Sequence, residues 1–133
     1  MKLALVAYAG TFSALLIADA IWLGIVAKTF YRNQLGDMML PSPNLTLAAV
    51  FYIFFAAALV LLVVVPGVKQ GTLLTTALYG AAFGLAAYGT YDITNLATLK
   101  NWPVTVTVVD MIWGTTVTAF SASIGYSVAK YFV

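Results

Sequence analysis

Between Leu45 and Val65 the chain carries no charged residue. A run of about 20 apolar residues is what an α-helix needs to cross the roughly 30 Å hydrocarbon core of a bilayer. No water is available there, so the segment must satisfy its own backbone N–H and C=O groups, which a helix does. The rest of the chain follows the same plan. Of its 133 residues 63% are hydrophobic and 8% are charged, whereas soluble domains are nearer 25% charged. Mean hydropathy is +1.01. The expected fold is all-α: a polytopic membrane protein folded as a four-helix transmembrane bundle, one domain over residues 1–133 with spans at about 3–26, 45–65, 72–96 and 104–128.

Local signals set those limits. Met1-Lys2 before an apolar run, with Ala18-Asp19-Ala20, faintly resembles a signal peptide. The apolar stretch runs on to Val26, longer than a signal's apolar region, so it reads as a retained helix. Pro41-Ser42-Pro43 breaks the polar connector from Ala27 to Asn44, and Pro66-Gly67 is expected to end the second span. The third span contains Gly80-x-x-x-Gly84, a small-residue face that lets helices approach closely. Pro103 suits the opening of the fourth, and Trp102 and Tyr31 suit interfacial anchoring. Lys2, Lys69 and Lys130 on the side of the termini balance Lys28, Arg32 and Lys100 on the other. That tie leaves the positive-inside rule without a direction, and dual topology is the alternative to a single orientation.

The absent residues narrow the chemistry. The chain has no Cys and no His, and every acid is an aspartate. Disulfides, thiolate nucleophiles, imidazole bases and the usual transition-metal ligands are therefore excluded. No metal site and no cofactor is expected. A formal net charge of +2 without a basic tract speaks against nucleic acid and leaves membrane lipids as the evident partner. Asn44-Leu45-Thr46 matches a glycosylation sequon, a pattern too short to carry weight.

Against this background three acids stand out inside apolar spans: Asp19, Asp92 and Asp110. An ionisable group at mid-bilayer costs at least about 2.5–3.5 kcal/mol, which makes it a functional candidate by default. Asp19 lies nine residues before Lys28, Asp92 eight before Lys100, and Asp110 ten after it. If those lysines mark one membrane face, the carboxyls share a level roughly 12–15 Å inside it.

Two of the acids belong to a repeated motif, Asp19-Ala20-Ile21-Trp22 and Asp110-Met111-Ile112-Trp113. Each Asp shares a helix face with its Trp. Because the helices are antiparallel, the indoles are expected above and below a carboxylate layer. Tyr88, Asp92 and Asn95 extend the Gly80/Gly84 stripe, with Tyr91 beside them. The candidate ligand-binding set is thus Asp19, Trp22, Tyr88, Tyr91, Asp92, Asn95, Asp110 and Trp113. Lys100 could reach inward to Asp92, although a snorkelling lysine is commoner. Carboxyls crowded in low dielectric cannot all ionise cheaply, so at least one is expected to hold a proton.

The run from Tyr91-Asp92-Ile93-Thr94-Asn95 through Asn101-Trp102-Pro103 to Asp110-Met111-Ile112-Trp113-Gly114, with Asp19-Ala20-Ile21-Trp22-Leu23-Gly24 and Phe30-Tyr31, resembles an uncharacterised bacterial membrane family, domain of unknown function 2177. The resemblance spans essentially the whole chain. It implies a small multi-pass protein of the bacterial inner membrane and brings no activity with it.

The residues themselves favour an intramembrane polar pocket that binds or transports a small ligand, either a cation or amine held by charge and aromatic faces or an uncharged molecule held by hydrogen bonds, with proton coupling physically available. An alternative is an enzyme acting on a lipid or isoprenoid, with one Asp as acid or base; no catalytic residue is assigned. A third is a structural subunit of a larger membrane complex. So narrow a bundle also favours a homo-oligomer.

Overall fold

The computed structural model of the chain describes residues 1–133 and is helical, with no strand. Helix α1 (Lys2–Ile21) runs directly into a π-helical turn, Trp22–Val26. The connector holds a short α2 (Phe30–Leu35) and a 3-10 turn (Gly36–Met38). Helix α3 (Leu45–Leu59) continues through a second π-helical stretch, Val60–Val64, into α4 (Val65–Gln70). Helices α5 (Leu73–Thr98) and α6 (Val104–Phe132) complete the chain.

Three stretches are long and apolar enough to cross a membrane: Lys2–Val26, Leu45–Gln70 and Val104–Phe132. Helix α5 has the length, 26 residues, and Asp92 is its only charge. Its glycines, threonines and tyrosines dilute its hydropathy, and it is not one of the three. Of the four expected spans, composition therefore supports three.

The second span does not stop at Pro66-Gly67 as expected. It continues to Gln70, with Pro66 in the first turn of α4. Proline's missing N–H costs least in a first turn, and here that turn follows a π-helical stretch whose bonding has already departed from the α pattern. Other ends obey local rules. The Asn44 side chain accepts from Leu47 N at 3.1 Å and caps α3, so this asparagine serves as a helix cap. Thr72 and Thr75 form a reciprocal capping box at α5. Asn101 adopts a positive φ of 64° in the tight link to α6, a backbone state that asparagine tolerates better than most residues.

Helix α6 is the axis of the molecule, packed against α5 on one side and α1 on the other. Small residues make that closeness available. A Cβ at Gly84 would meet Gly114 O and the Thr118 side chain, one at Gly114 would overlap the Tyr88 ring, and one at Gly125 would strike the Thr11 hydroxyl. The Gly80/Gly84 face thus meets α6, as its spacing suggests. Apolar layers complete the core: Leu59, Val60, Val63 and Val64 with Ala7, Ala122 and Ala129, and then Leu15, Phe55, Ala56 and Val117. Beyond that second layer, toward the connector, the packing gives way to polar groups.

Candidate functional site

Asp19 stands in the last turns of α1 and is 7% exposed. One carboxylate oxygen accepts the Trp113 indole N–H at 2.8 Å, and the other accepts the Tyr52 hydroxyl. The donors come from α6 and α3, so this one acid joins three helices. Asp110, half-buried on α6, accepts the Tyr31 hydroxyl at 2.8 Å. Tyr31 in turn accepts the Trp22 indole N–H at 3.0 Å.

The two repeated motifs are therefore cross-linked. The acid of the first binds the Trp of the second, and the Trp of the first reaches the acid of the second through Tyr31. Trp22 and Trp113 stack between them, centroids 4.5 Å apart and planes at 7°. This overturns the expectation that the indoles lie above and below a carboxylate layer. The acids flank the indole pair instead. The lysine-based depth was also too large, because residues Leu99 to Pro103 are not helical. Asp110 is six residues into α6 and Asp92 six from the end of α5, or roughly 9 Å at 1.5 Å per residue.

Asp92 is fully buried, and neither carboxyl oxygen has a hydrogen-bond partner. The carboxyl of Asp110 is its close neighbour. Lys100 is exposed and makes no bond to it.

A cavity of about 390 Å³ opens beside this cluster. Asp19 and Asp110 supply its charge, and Trp22, Trp113, Tyr31, Tyr52, Tyr88, Tyr91 and Phe51 supply rings, with Leu23 and Ala87 between them. No lysine or arginine lines it. Of the sequence-derived set, Asp19, Trp22, Tyr88, Tyr91, Asp110 and Trp113 thus reach one wall. Asp92 stands behind that wall beside Asp110. Asn95 is half-buried and is not on the wall.

Sequence reasoning missed Tyr52, Tyr31, Phe51, Leu23 and Ala87. A tyrosine deep in the otherwise apolar α3 was the available signal for Tyr52. Tyr31 was read as an interfacial anchor, but it turns inward, and burial above all holds its phenol well above the ordinary tyrosine range; the nearby Asp110 and Asp19 act in the same direction and the Trp22 hydrogen bond opposes them. It remains a protonated donor to Asp110. Trp102, also read as an anchor, is buried, donates to the Thr107 hydroxyl at 3.1 Å and meets Tyr91 edge-on.

The sequence profile of the family described as Predicted membrane protein (DUF2177) matches residues 4–127. The chain belongs to that family. No curated protein and no solved structure matches it. The DUF2177 match covers both Asp-x-Ile-Trp motifs, Asp92 and every residue on the cavity wall.

Proposed function

We propose that the chain folds in the membrane as a four-helix bundle whose cavity binds a small organic cation, as the binding step of transport. One observation carries this reading. Asp19 and Asp110 hold their positions through neutral indole and phenol donors alone, and no basic side chain lines the cavity. Buried carboxylates are costly without a counter-charge, and here the protein supplies none. A ligand cation would supply it. The surrounding rings add a second attraction, because a cation over an aromatic face gains about 0.5–2 kcal/mol as water is removed. The volume suits a small ligand.

Binding of tetramethylammonium to the purified protein, followed by quenching of Trp22 and Trp113 fluorescence, tests this. Asp19→Asn and Asp110→Asn are each expected to weaken binding by about tenfold or more, since each removes a facing charge at nearly constant shape. Equal affinity for the uncharged carbon analogue of choline refutes the reading.

A second reading has its own support. Asp19 binds donors from α6 and α3 together, as a structural staple would. Under that reading Asp19→Asn lowers the unfolding temperature and no cation changes the fluorescence.

A further inference from the structure

The cavity reaches the surface at three of its lining residues, Leu23 at the end of the first span and Phe51 and Tyr91 on the flank between α3 and α5. On the connector side Tyr31 lies across it, tied to Trp22 and Asp110. On the flank it is different. Helices α3 and α5 approach each other through the Phe55 ring, which meets Phe83 at 5.5 Å and Tyr88 at 6.4 Å. Closer to the connector they separate, and the cavity reaches the surface between Phe51 of α3 and Tyr91 of α5. Both rings line the cavity, yet Phe51 is 39% exposed and Tyr91 54%.

Depth decides what that opening faces. Phe51 lies six residues into α3, and Tyr91 seven residues before the end of α5. At about 1.5 Å per residue both sit roughly 9–10 Å inside the helix ends. A 26-residue span is about 39 Å long against a hydrocarbon core of about 30 Å, so the opening lies about 5 Å below the edge of that core, beside the outer part of the acyl chains. Beside the opening, Phe54 packs edge-on against Phe51 and is 58% exposed, and Thr94, one turn on from Tyr91, is exposed as well.

We infer that the ligand is a lipophilic monocation that enters sideways from the bilayer between Phe51 and Tyr91, its charged centre resting at Asp19 and Asp110 and its apolar substituent trailing through the gap into lipid. This rests on the cation reading above and adds the substrate class and the route. A fully hydrated ion has no path through a portal at that depth, whereas an amphiphile arrives already dissolved in the surrounding phase. The aromatic rim suits it: Phe51 and Tyr91 contact an alkyl or aryl substituent, and the acids lie beyond them.

The test uses the full chain in phospholipid vesicles, with tetramethylammonium and dodecyltrimethylammonium as probes. Trp102→Phe leaves Trp22 and Trp113 as the only indoles, since the chain has three. The signal that survives in Asp19→Asn, Asp110→Asn protein is subtracted as non-specific. The chain-bearing probe is expected to saturate at an aqueous concentration about a hundredfold lower, because its chain concentrates it in the bilayer. The chain has no cysteine, so Phe51→Cys with Tyr91→Cys gives a single pair to bridge with a bis-maleimide. Bridging is expected to slow entry of dodecyltrimethylammonium about tenfold or more relative to the unbridged pair. Independently, lipids brominated in the outer part of their acyl chains are expected to quench Trp22 and Trp113 in protein with native Phe51 and Tyr91. If both probes bind with equal affinity, the lipophilic class is wrong and the cation reading stands. If bridging leaves entry unchanged, or the brominated chains fail to quench, the lateral route is wrong. If neither probe binds, both readings fall.

Discussion

Trp22 and Trp113 lie face to face, their ring centroids 4.5 Å apart and their planes 7° from parallel. An aromatic pair of this kind contributes about 0.5–1.5 kcal/mol beyond its buried area, but its larger consequence is register. With α1 and α6 antiparallel, stacking these two rings puts Asp19 opposite Trp113 and leaves Trp22 opposite Asp110. The repeated motif thereby serves as a two-point lock. Each acid is held by the other half of the repeat, directly for Asp19 and through Tyr31 for Asp110.

The lock predicts different costs for two substitutions at one position. Asp19→Ala leaves the Trp113 N–H and the Tyr52 O–H without their shared acceptor, at about 1–3 kcal/mol for each buried group. Asp19→Asn keeps an acceptor oxygen and should cost clearly less. Thermal unfolding in detergent, followed by near-ultraviolet circular dichroism, orders the two. Equal losses would mean that neither donor depends on Asp19.

Close packing behind the cavity predicts a second effect. A methyl group at Gly114 overlaps the Tyr88 ring, and the backbones of α5 and α6 cannot part without opening the Gly84 contact. Gly114→Ala should destabilise by about 1–3 kcal/mol, as overpacking does. Adding Tyr88→Leu should recover part of that loss by withdrawing the ring. A double variant no more stable than Gly114→Ala alone would place the strain elsewhere.

What could be read in advance was whatever local spacing encodes. Apolar runs located the helices, the Gly80/Gly84 spacing located the face of α5 that meets α6, and three acids in apolar surroundings pointed to the cavity. What escaped was decided by partners distant in sequence. Tyr52 bonds to Asp19 across 33 residues and Tyr31 to Asp110 across 79, and no periodicity reports such pairings. Tyrosine conceals itself in either setting, since its ring counts as apolar in α3 and as interfacial near Lys28, while its hydroxyl decides where it goes. The distance of Asp92 and Asp110 from their helix ends was overcounted for a simpler reason: counting from Lys100 assumed helix where the chain turns.

Asp92 makes the opposite prediction to Asp19. Its carboxyl is fully buried and has no donor, and its neighbour Asp110 is another acid. A buried carboxyl without a hydrogen-bond partner is costly to a fold even when it carries a proton. Asp92→Asn keeps the shape, ends the competition between two neighbouring acids and offers Asp110 an amide donor, so the unfolding temperature should rise. A lower unfolding temperature in Asp92→Asn than in the native chain would show that the carboxyl has a stabilising partner. Retention of a destabilising group fits a site used for function more readily than one used for packing.

Tyr31 supplies the pH dependence. Its phenol is held above the ordinary tyrosine value by burial, reinforced by Asp110 and Asp19. The native state therefore binds this proton more tightly than the unfolded chain does. By linkage, the stabilising contribution is complete below the unfolded value of about 10 and is lost as pH rises past it toward the higher folded value. Above about pH 10 the native chain should thus lose thermal stability with rising pH, and Tyr31→Phe, which cannot release a phenolic proton, should fall less steeply. Below that pH, Tyr31→Phe should be the less stable of the two, because the Trp22 N–H and the Asp110 carboxylate both lose their partner. Ultraviolet absorbance offers a direct check: Tyr31→Phe should leave the tyrosinate signal formed near pH 10 unchanged and remove amplitude only at higher pH. A loss of amplitude near pH 10 would place this hydroxyl in water, and with it the closure of the cavity on the connector side would fail.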